Sequence, residues 1–226
     1  MDGPTVSDGR HSAFLDMLAA LHERHLVGVP DRTELWLIRH ADAYAGLEQL
    51  EDGLLNPPLS SEGEAQAALL TARLAAVHFD EVWASDLRRA IATAHAVAVG
   101  RGLEVQIDQR LREVRTYWDE GRVDSLGDPR EYPFPEPMEE VAARMRAVLD
   151  SIVQRLERYR SQPRRALVAS HNAAISILLH RLLGLEWAQL RVMPQFTSLS
   201  VIAVKDGRYV VQSIADATHL SGMSLD

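Results

Sequence analysis

Along this chain, short apolar runs that end abruptly in polar residues alternate with stretches whose apolar residues recur at helical spacing. Leu35, Trp36, Leu37 and Ile38 form the first run, Ala166 to Ala169 a later one, and Glu81 to Ala84 and Glu104 to Ile107 read as shorter strands. Phe14, Leu15, Leu18, Leu21 and Leu26 predict a helix from about Arg10 to Val27, stopped by Pro30. A second helix starts where Ser61 and Glu64 stand at capping-box spacing, with Ala65, Ala68, Leu69, Ala72 and Ala76 as its apolar face. A third runs from about Leu87 to Val99, ended by Gly100 and Gly102. A fourth spans about Glu139 to Tyr159 on Val141, Met145, Val148, Leu149, Ile152 and Leu156; a fifth begins at Asn172 and carries Ile175, Leu178, Leu179 and Leu182. Leu199 to Val204 and Tyr209 to Ile214, joined at Asp206-Gly207, predict a hairpin.

Strands alternating with helices imply an α/β three-layer sandwich: a mostly parallel sheet, helices on both faces, and an antiparallel edge from the hairpin. Residues 1–32 read as an extension whose amphipathic helix docks on the main domain or joins two copies in a homodimer, and residues 33–226 as the main domain. Between Val114 and Met138 the periodicity vanishes among Pro129, Pro133, Pro135 and Pro137, which predicts a structured lid over about 114–138.

The 226 residues, 46% of them hydrophobic, suffice for one large domain. A formal charge of -8 and a pI near 5.6 argue against a nucleic-acid or anionic-membrane partner, which would need a basic surface. Without cysteine there is no disulfide, thiolate nucleophile or Cys-ligated zinc, and the cytoplasm is the expected compartment. The amino terminus has no leader pattern, and no apolar run approaches membrane-spanning length.

Two of the predicted strands end in a histidine: Arg39-His40 closes the first, and Ser170-His171-Asn172 closes a later one. Open α/β sheets place their sites at such strand ends. A third junction supplies Ser85-Asp86-Leu87-Arg88-Arg89, and a fourth Glu113. Guanidinium forks match paired phosphoryl oxygens, and the helix amino terminus after His171 adds partial positive charge. No metal-ligand set is evident, so the nucleophile is oxygen or nitrogen, and an imidazole attacking phosphorus gives a phosphohistidine. Glu113 is placed to protonate the leaving oxygen and then activate water. Arg155, Arg158 and Arg160 suit the negative end of a helix dipole. His11, His22, His25, His78, His95, His180 and His219 lack trustworthy ligand spacing and read as structural or solvent-facing. Asp216 and His219 stand near the chain's end without a defined role.

From Glu34 to Leu220 the chain resembles the histidine phosphatase superfamily, which includes the cofactor-dependent phosphoglycerate mutases. LWLIRHA, NPPLSSEGEAQA, SDLRRAIATA, LREV, VASHNAAI and DATHL fall in family order and spacing. The resemblance implies a phosphoglycerate mutase-like fold and a metal-independent reaction without cofactor on a small phosphorylated substrate. It makes His40 the phosphorylated nucleophile, Arg39, Arg89 and His171 phosphate ligands, Glu113 the proton donor, and Asn172 a substrate neighbour; Arg88 points to solvent and Ser85 only shapes its turn. Ala41 and Asn172 stand where the family has glycine, which requires an ordinary backbone at Ala41 and a left-handed tolerance at Asn172. Gly46 stands near a family asparagine that touches phosphate.

Mutases in the family carry Glu-Arg-His-Tyr-Gly where this chain has Glu113-Val114-Arg115-Thr116-Tyr117, which favours a phosphatase. The lid's Asp119, Glu120, Asp124, Asp128, Glu131 and Glu136 outnumber its arginines and disfavour substrates with several phosphates. A phosphomonoester with an uncharged or apolar remainder, stacked on Tyr117 or Trp118, is expected. Mutase-type transfer and a non-catalytic phosphate-binding module are the alternatives, with a phosphohistidine protein as a lower-ranked phosphatase substrate.

Overall fold

The computed structural model describes residues 6–43, 50–51, 54–115, 135–187 and 191–222. The expected lid and its Tyr117 and Trp118, like Gly46, fall largely outside them. In chain order the elements are α1 (Val6–Arg24), β1 (Thr33–Arg39), β2 (Leu50–Glu51), β3 (Leu54–Leu55), α2 (Ser61–Arg73), β4 (Glu81–Ala84) and α3 (Arg88–Ala98). Then follow β5 (Val105–Ile107), α4 (Met138–Leu156), β6 (Arg164–Ser170), α5 (Asn172–Leu183), β7 (Leu199–Lys205) and β8 (Arg208–Asp216).

Six strands form one sheet in the order β5-β4-β6-β1-β7-β8. β5, β4, β6 and β1 run parallel, as crossover helices require, whereas β7 and β8 add the expected antiparallel edge. Asp206 and Gly207 both take positive φ, the twist a two-residue hairpin turn needs. On one face, α4 and α5 bury Val141, Met145, Leu149, Ile152, Ile177 and Leu178 against Leu35, Leu37 and Val168. On the other, Leu70 and Leu74 from α2 and its end and Ala90, Ala94 and Val97 from α3 meet Ile38, Val82 and Leu167. The predicted apolar face of the fourth helix is buried in full.

Three expectations are corrected. α1 runs from Val6 to Arg24 rather than from about Arg10 to Val27, and it stops early because Leu26 takes φ 54 and turns its fully buried side chain into the domain. Phe14, Leu15, Met17 and Leu21 stay exposed, so α1 does not lay its apolar positions on the domain; Glu23 instead pairs with Lys205. The cap of α2 is Ser60, one residue early, and its buried face is Gly63, Gln66, Ala67 and Leu70, while Ala65, Ala68, Leu69, Ala72 and Ala76 face solvent. Alanines lie all round this helix, and its contact surface uses a glycine and an amide that hydropathy scores as outward. Finally, Arg155 and Arg158 do more than face a helix dipole: both bond the buried Glu81 carboxylate, at 2.8 and 2.6 Å.

Glu81 and Glu34 share an arrangement at the starts of β4 and β1. In each, the indole N–H of the tryptophan two residues on donates to the carboxylate, Trp83 at 2.9 Å and Trp36 at 3.3 Å. Arg165 completes Glu34 at 2.7 Å. Buried carboxylates are tolerated there because each is paired and hydrogen-bonded.

Candidate active site

β1 and β6 are parallel neighbours with Arg39 opposite Ser170, so their carboxyl ends release His40 and His171 at the same level. The His40 N–H donates to the Ser170 carbonyl at 3.0 Å, and the two rings stand 5.0 Å apart between centroids. His40 is 6% exposed and His171 is fully buried.

The His40 proton is located by its neighbour. Nδ1 lies 2.8 Å from the Ala41 carbonyl, which can only accept, so Nδ1 carries the hydrogen and the Nε2 lone pair points the other way. Arg89 Nε donates to that lone pair at 3.1 Å. Burial, then the Arg89 and Arg39 charges, push the His40 pKa well below 6.5, which keeps the ring neutral. The His171 pKa is pushed well below 6.5 by burial first and then by His40, Arg89, Arg144 and Arg39.

Arg89 enters from the first turn of α3. The Asn56 side chain of the NPPL segment accepts from the Arg88 N–H at 2.8 Å and caps that helix, while the Arg88 side chain is exposed. Arg39 is held by the Pro194 carbonyl at 2.9 Å and lies 3.9 Å above the Phe196 ring, which also flanks His40 at 5.8 Å. Thr197 follows with φ 53, a conformation rare for a β-branched residue. Its N–H donates to the Arg39 carbonyl, and its hydroxyl meets His219 Nε2 at 2.9 Å. His219 thus supports the wall behind Arg39, and Asp216 pairs with Arg73.

Glu113 lies against the start of α5. Its carboxylate accepts from the N–H groups of Ala174 and Val114 at 2.9 Å and Ala173 at 3.3 Å. Arg144 of α4 holds the backbone beneath it, donating to the carbonyls of Arg110, Arg112 and Glu113 and to the Glu136 carboxylate. Asn172 is the first residue of α5 and is not left-handed, so the asparagine is not needed for backbone tolerance; its Oδ1 is buried with no hydrogen-bond partner among the described residues. Ala41 likewise avoids positive φ, as its side chain requires, and its N–H donates to Thr93 Oγ1 at 3.0 Å.

Ser85 does more than shape a turn: its hydroxyl lies 2.6 Å from His171 Nε2. The structure therefore joins His40 directly with Arg89 and His171, sets Arg39 on the Phe196 ring that flanks His40, and adds Glu113 through the helix that His171 opens. Phe196, Arg144, Thr93 and Ser85 are the additions. Thr93 stands one turn after Arg89 in SDLRRAIATA and Ser85 opens that string, signals that sequence alone carried; Phe196 and Arg144 had none.

Residues 35–217 match the histidine phosphatase superfamily (branch 1). The chain belongs to the histidine phosphatase superfamily. A probable phosphoglycerate mutase, GpmB, of Salmonella choleraesuis (strain SC-B67) is 28% identical over 214 residues, spanning 85% of this chain and 97% of that protein. The structure of Bacillus stearothermophilus YhfR superposes with a TM-score of 0.70 at 25% identity, covering 83% of this chain and 99% of that one. A mycobacterial glucosyl-3-phosphoglycerate phosphatase superposes at 0.67 with 23% identity, over 82% of this chain and 100% of that one, a likeness of fold. This histidine phosphatase superfamily member is thus an enzyme of phosphatase or mutase type, transferring phosphoryl groups through a histidine. Among its described residues no helix is long and apolar enough to cross a membrane, and no cluster of three His, Cys, Asp or Glu residues could hold a metal.

Proposed function

We propose that the protein is a phosphatase that hydrolyses a small phosphomonoester, without a metal, through a phosphohistidine on His40. The observation that carries this reading is the neutral His40 ring, whose Nδ1–H is held by Ala41 and whose Nε2 lone pair faces the Arg89 guanidinium. That lone pair attacks phosphorus as the ester P–O bond breaks, and Glu113 in its acid form protonates the leaving oxygen. The resulting Glu113 carboxylate then takes a proton from water. The water oxygen attacks phosphorus, the P–N bond breaks, and phosphate leaves with His40 neutral again. Arg39, Arg89 and His171 surround the transferring group with N–H donors in a largely buried site, where they act most strongly on developing negative charge. Asn172 borders the same helix end and contacts the substrate.

Hydrolysis is preferred over isomerisation because Val114, Arg115, Thr116 and Tyr117 replace the run found in mutases. A substrate with an uncharged or apolar remainder fits the acidic 114–138 segment, and Phe196 is the aromatic ring described beside His40. Rapid quench with labelled phosphomonoester should place label on wild-type protein and none on His40→Ala; label persisting on that variant refutes the nucleophile. Mutase-type transfer is the second reading, favoured by the likeness to GpmB. Isomerisation of phosphoglycerate outpacing phosphate release would establish it.

A further inference from the structure

Ser85 ends β4 and is fully buried. Its hydroxyl oxygen has a second polar neighbour besides His171 Nε2, the Leu87 N–H at 3.4 Å. An amide N–H can only donate, so it fills one of the two acceptor positions on Oγ and cannot receive the hydroxyl hydrogen; among the described residues Nε2, at 2.6 Å, is the acceptor left for that hydrogen. Nε2 then accepts, and a neutral imidazole that accepts at Nε2 carries its hydrogen on Nδ1. Nδ1 of His171 is a buried atom with no hydrogen-bond partner among the described residues. A buried N–H without an acceptor is costly, and one beside the nucleophile is explained if a substrate oxygen supplies the acceptor.

The sheet order gives this donor its direction. β6 lies between β4 and β1, so His171 stands between Ser85 and His40. Ser85 takes one ring nitrogen from the β4 side and leaves the other for the side where His40 lies. Both histidines therefore carry the same tautomer and present opposite chemistry. A carbonyl holds the Nδ1–H of His40 and exposes a lone pair; a hydroxyl holds the Nε2 of His171 and exposes an N–H.

We propose that Ser85 is a positioning residue that fixes His171 in the Nδ1–H tautomer, so that the ring donates to an oxygen of the phosphoryl group held beside His40. The purpose rests on the phosphoryl-transfer reading above; the tautomer does not. With the hydrogen on Nε2 instead, His171 would aim a lone pair at an anion and repel it.

Long-range proton–nitrogen NMR of the full chain labelled in histidine tests this, with the His171 signals assigned by their loss in His171→Gln. The wild type and Ser85→Thr should show His171 protonated at Nδ1. Ser85→Ala should show a mixture of tautomers, and its inhibition by orthovanadate should weaken by about tenfold or more. With a phosphomonoester such as p-nitrophenyl phosphate, kcat should fall in Ser85→Ala and return in Ser85→Thr. Wild-type His171 protonated at Nε2 overturns the proposal, even if Ser85→Ala fails to fold. So does Ser85→Ala with unchanged tautomer and unchanged orthovanadate inhibition. The expected tautomers and weakened inhibition without hydrolysis of any ester would support the role of Ser85 and refute the phosphatase reading instead.

Discussion

Arg144 Nη2 donates to the backbone carbonyl of Glu113 at 3.1 Å, so helix α4 fixes the main chain of the residue whose carboxylate lies on the first turn of α5. The same guanidinium binds the Glu136 carboxylate, which in turn accepts the Arg115 N–H at 2.9 Å. One arginine thereby ties the positions on either side of the 116–134 segment to the Glu113 backbone.

Replacing Arg144 by Ala removes that tie and leaves the 5%-exposed Glu136 without its ion-pair partner. Loss of one partner of a buried pair costs about 3 kcal/mol, read as a lower urea midpoint. Turnover should fall by about 10- to 100-fold because Glu113 is no longer held in place. Adding Glu136→Gln to Arg144→Ala should restore part of the stability and little of the rate.

Glu113→Gln keeps the shape of the side chain but supplies no proton. Its kcat for a phosphomonoester should drop by about 10²- to 10⁴-fold, while orthovanadate inhibition stays within a few fold of wild type. An amide nitrogen set against the Ala173 N–H, the longest of the three contacts at 3.3 Å, accounts for any small loss of binding. Steady-state kinetics and inhibition measured on one preparation separate the two effects.

Gly63 admits no side chain. A Cβ there would stand 2.0 Å from the Asp42 carbonyl oxygen, a backbone atom that also accepts the Ser60 N–H. Gly63→Ala must therefore move α2 or the segment that follows His40, and should destabilise the fold by about 2 kcal/mol or more. Urea unfolding measures the loss, and activity should fall with it because Asp42 is two residues from His40.

Acidification should weaken the fold through its buried imidazoles. His40 and His171 both titrate well below the ordinary 6.5 in the folded protein, so below that pH the unfolded chain binds more protons. Stability should fall as pH drops under 6.5, at up to about 1.4 kcal/mol per pH unit for each ring, and level off beneath the folded values. His219, also lowered by burial, adds to the trend. Urea titrations at a series of pH values give the slope, and His171→Gln should reduce it.

Strand positions and the α4 face were legible because their patterns are local: a strand of four apolar residues, or apolar residues at helical spacing, reads the same in any fold. The α2 face was not, because alanine gives no preference around the helix and burial there depends on the Asp42 backbone pressing on Gly63. The family strings likewise marked His40, Arg39, Arg89, Glu113 and His171: Arg39, His40 and His171 stand at strand ends and Arg89 in a first helical turn, while Glu113 lies in an irregular stretch after β5.

By itself, then, the sequence determined which elements form and which polar groups end them, because periodicity and capping are properties of neighbouring residues. Tertiary structure alone decided what those groups do for one another. The β4-β6-β1 order sets Ser85 beside His171 and His171 beside His40, so that contacts across strands locate the ring protons. Phe196 beneath Arg39 and Arg144 beneath Glu113 come from segments 157 and 31 residues away. Hydrogen bonding and burial act over a few ångströms in space, and the distance along the chain does not report them.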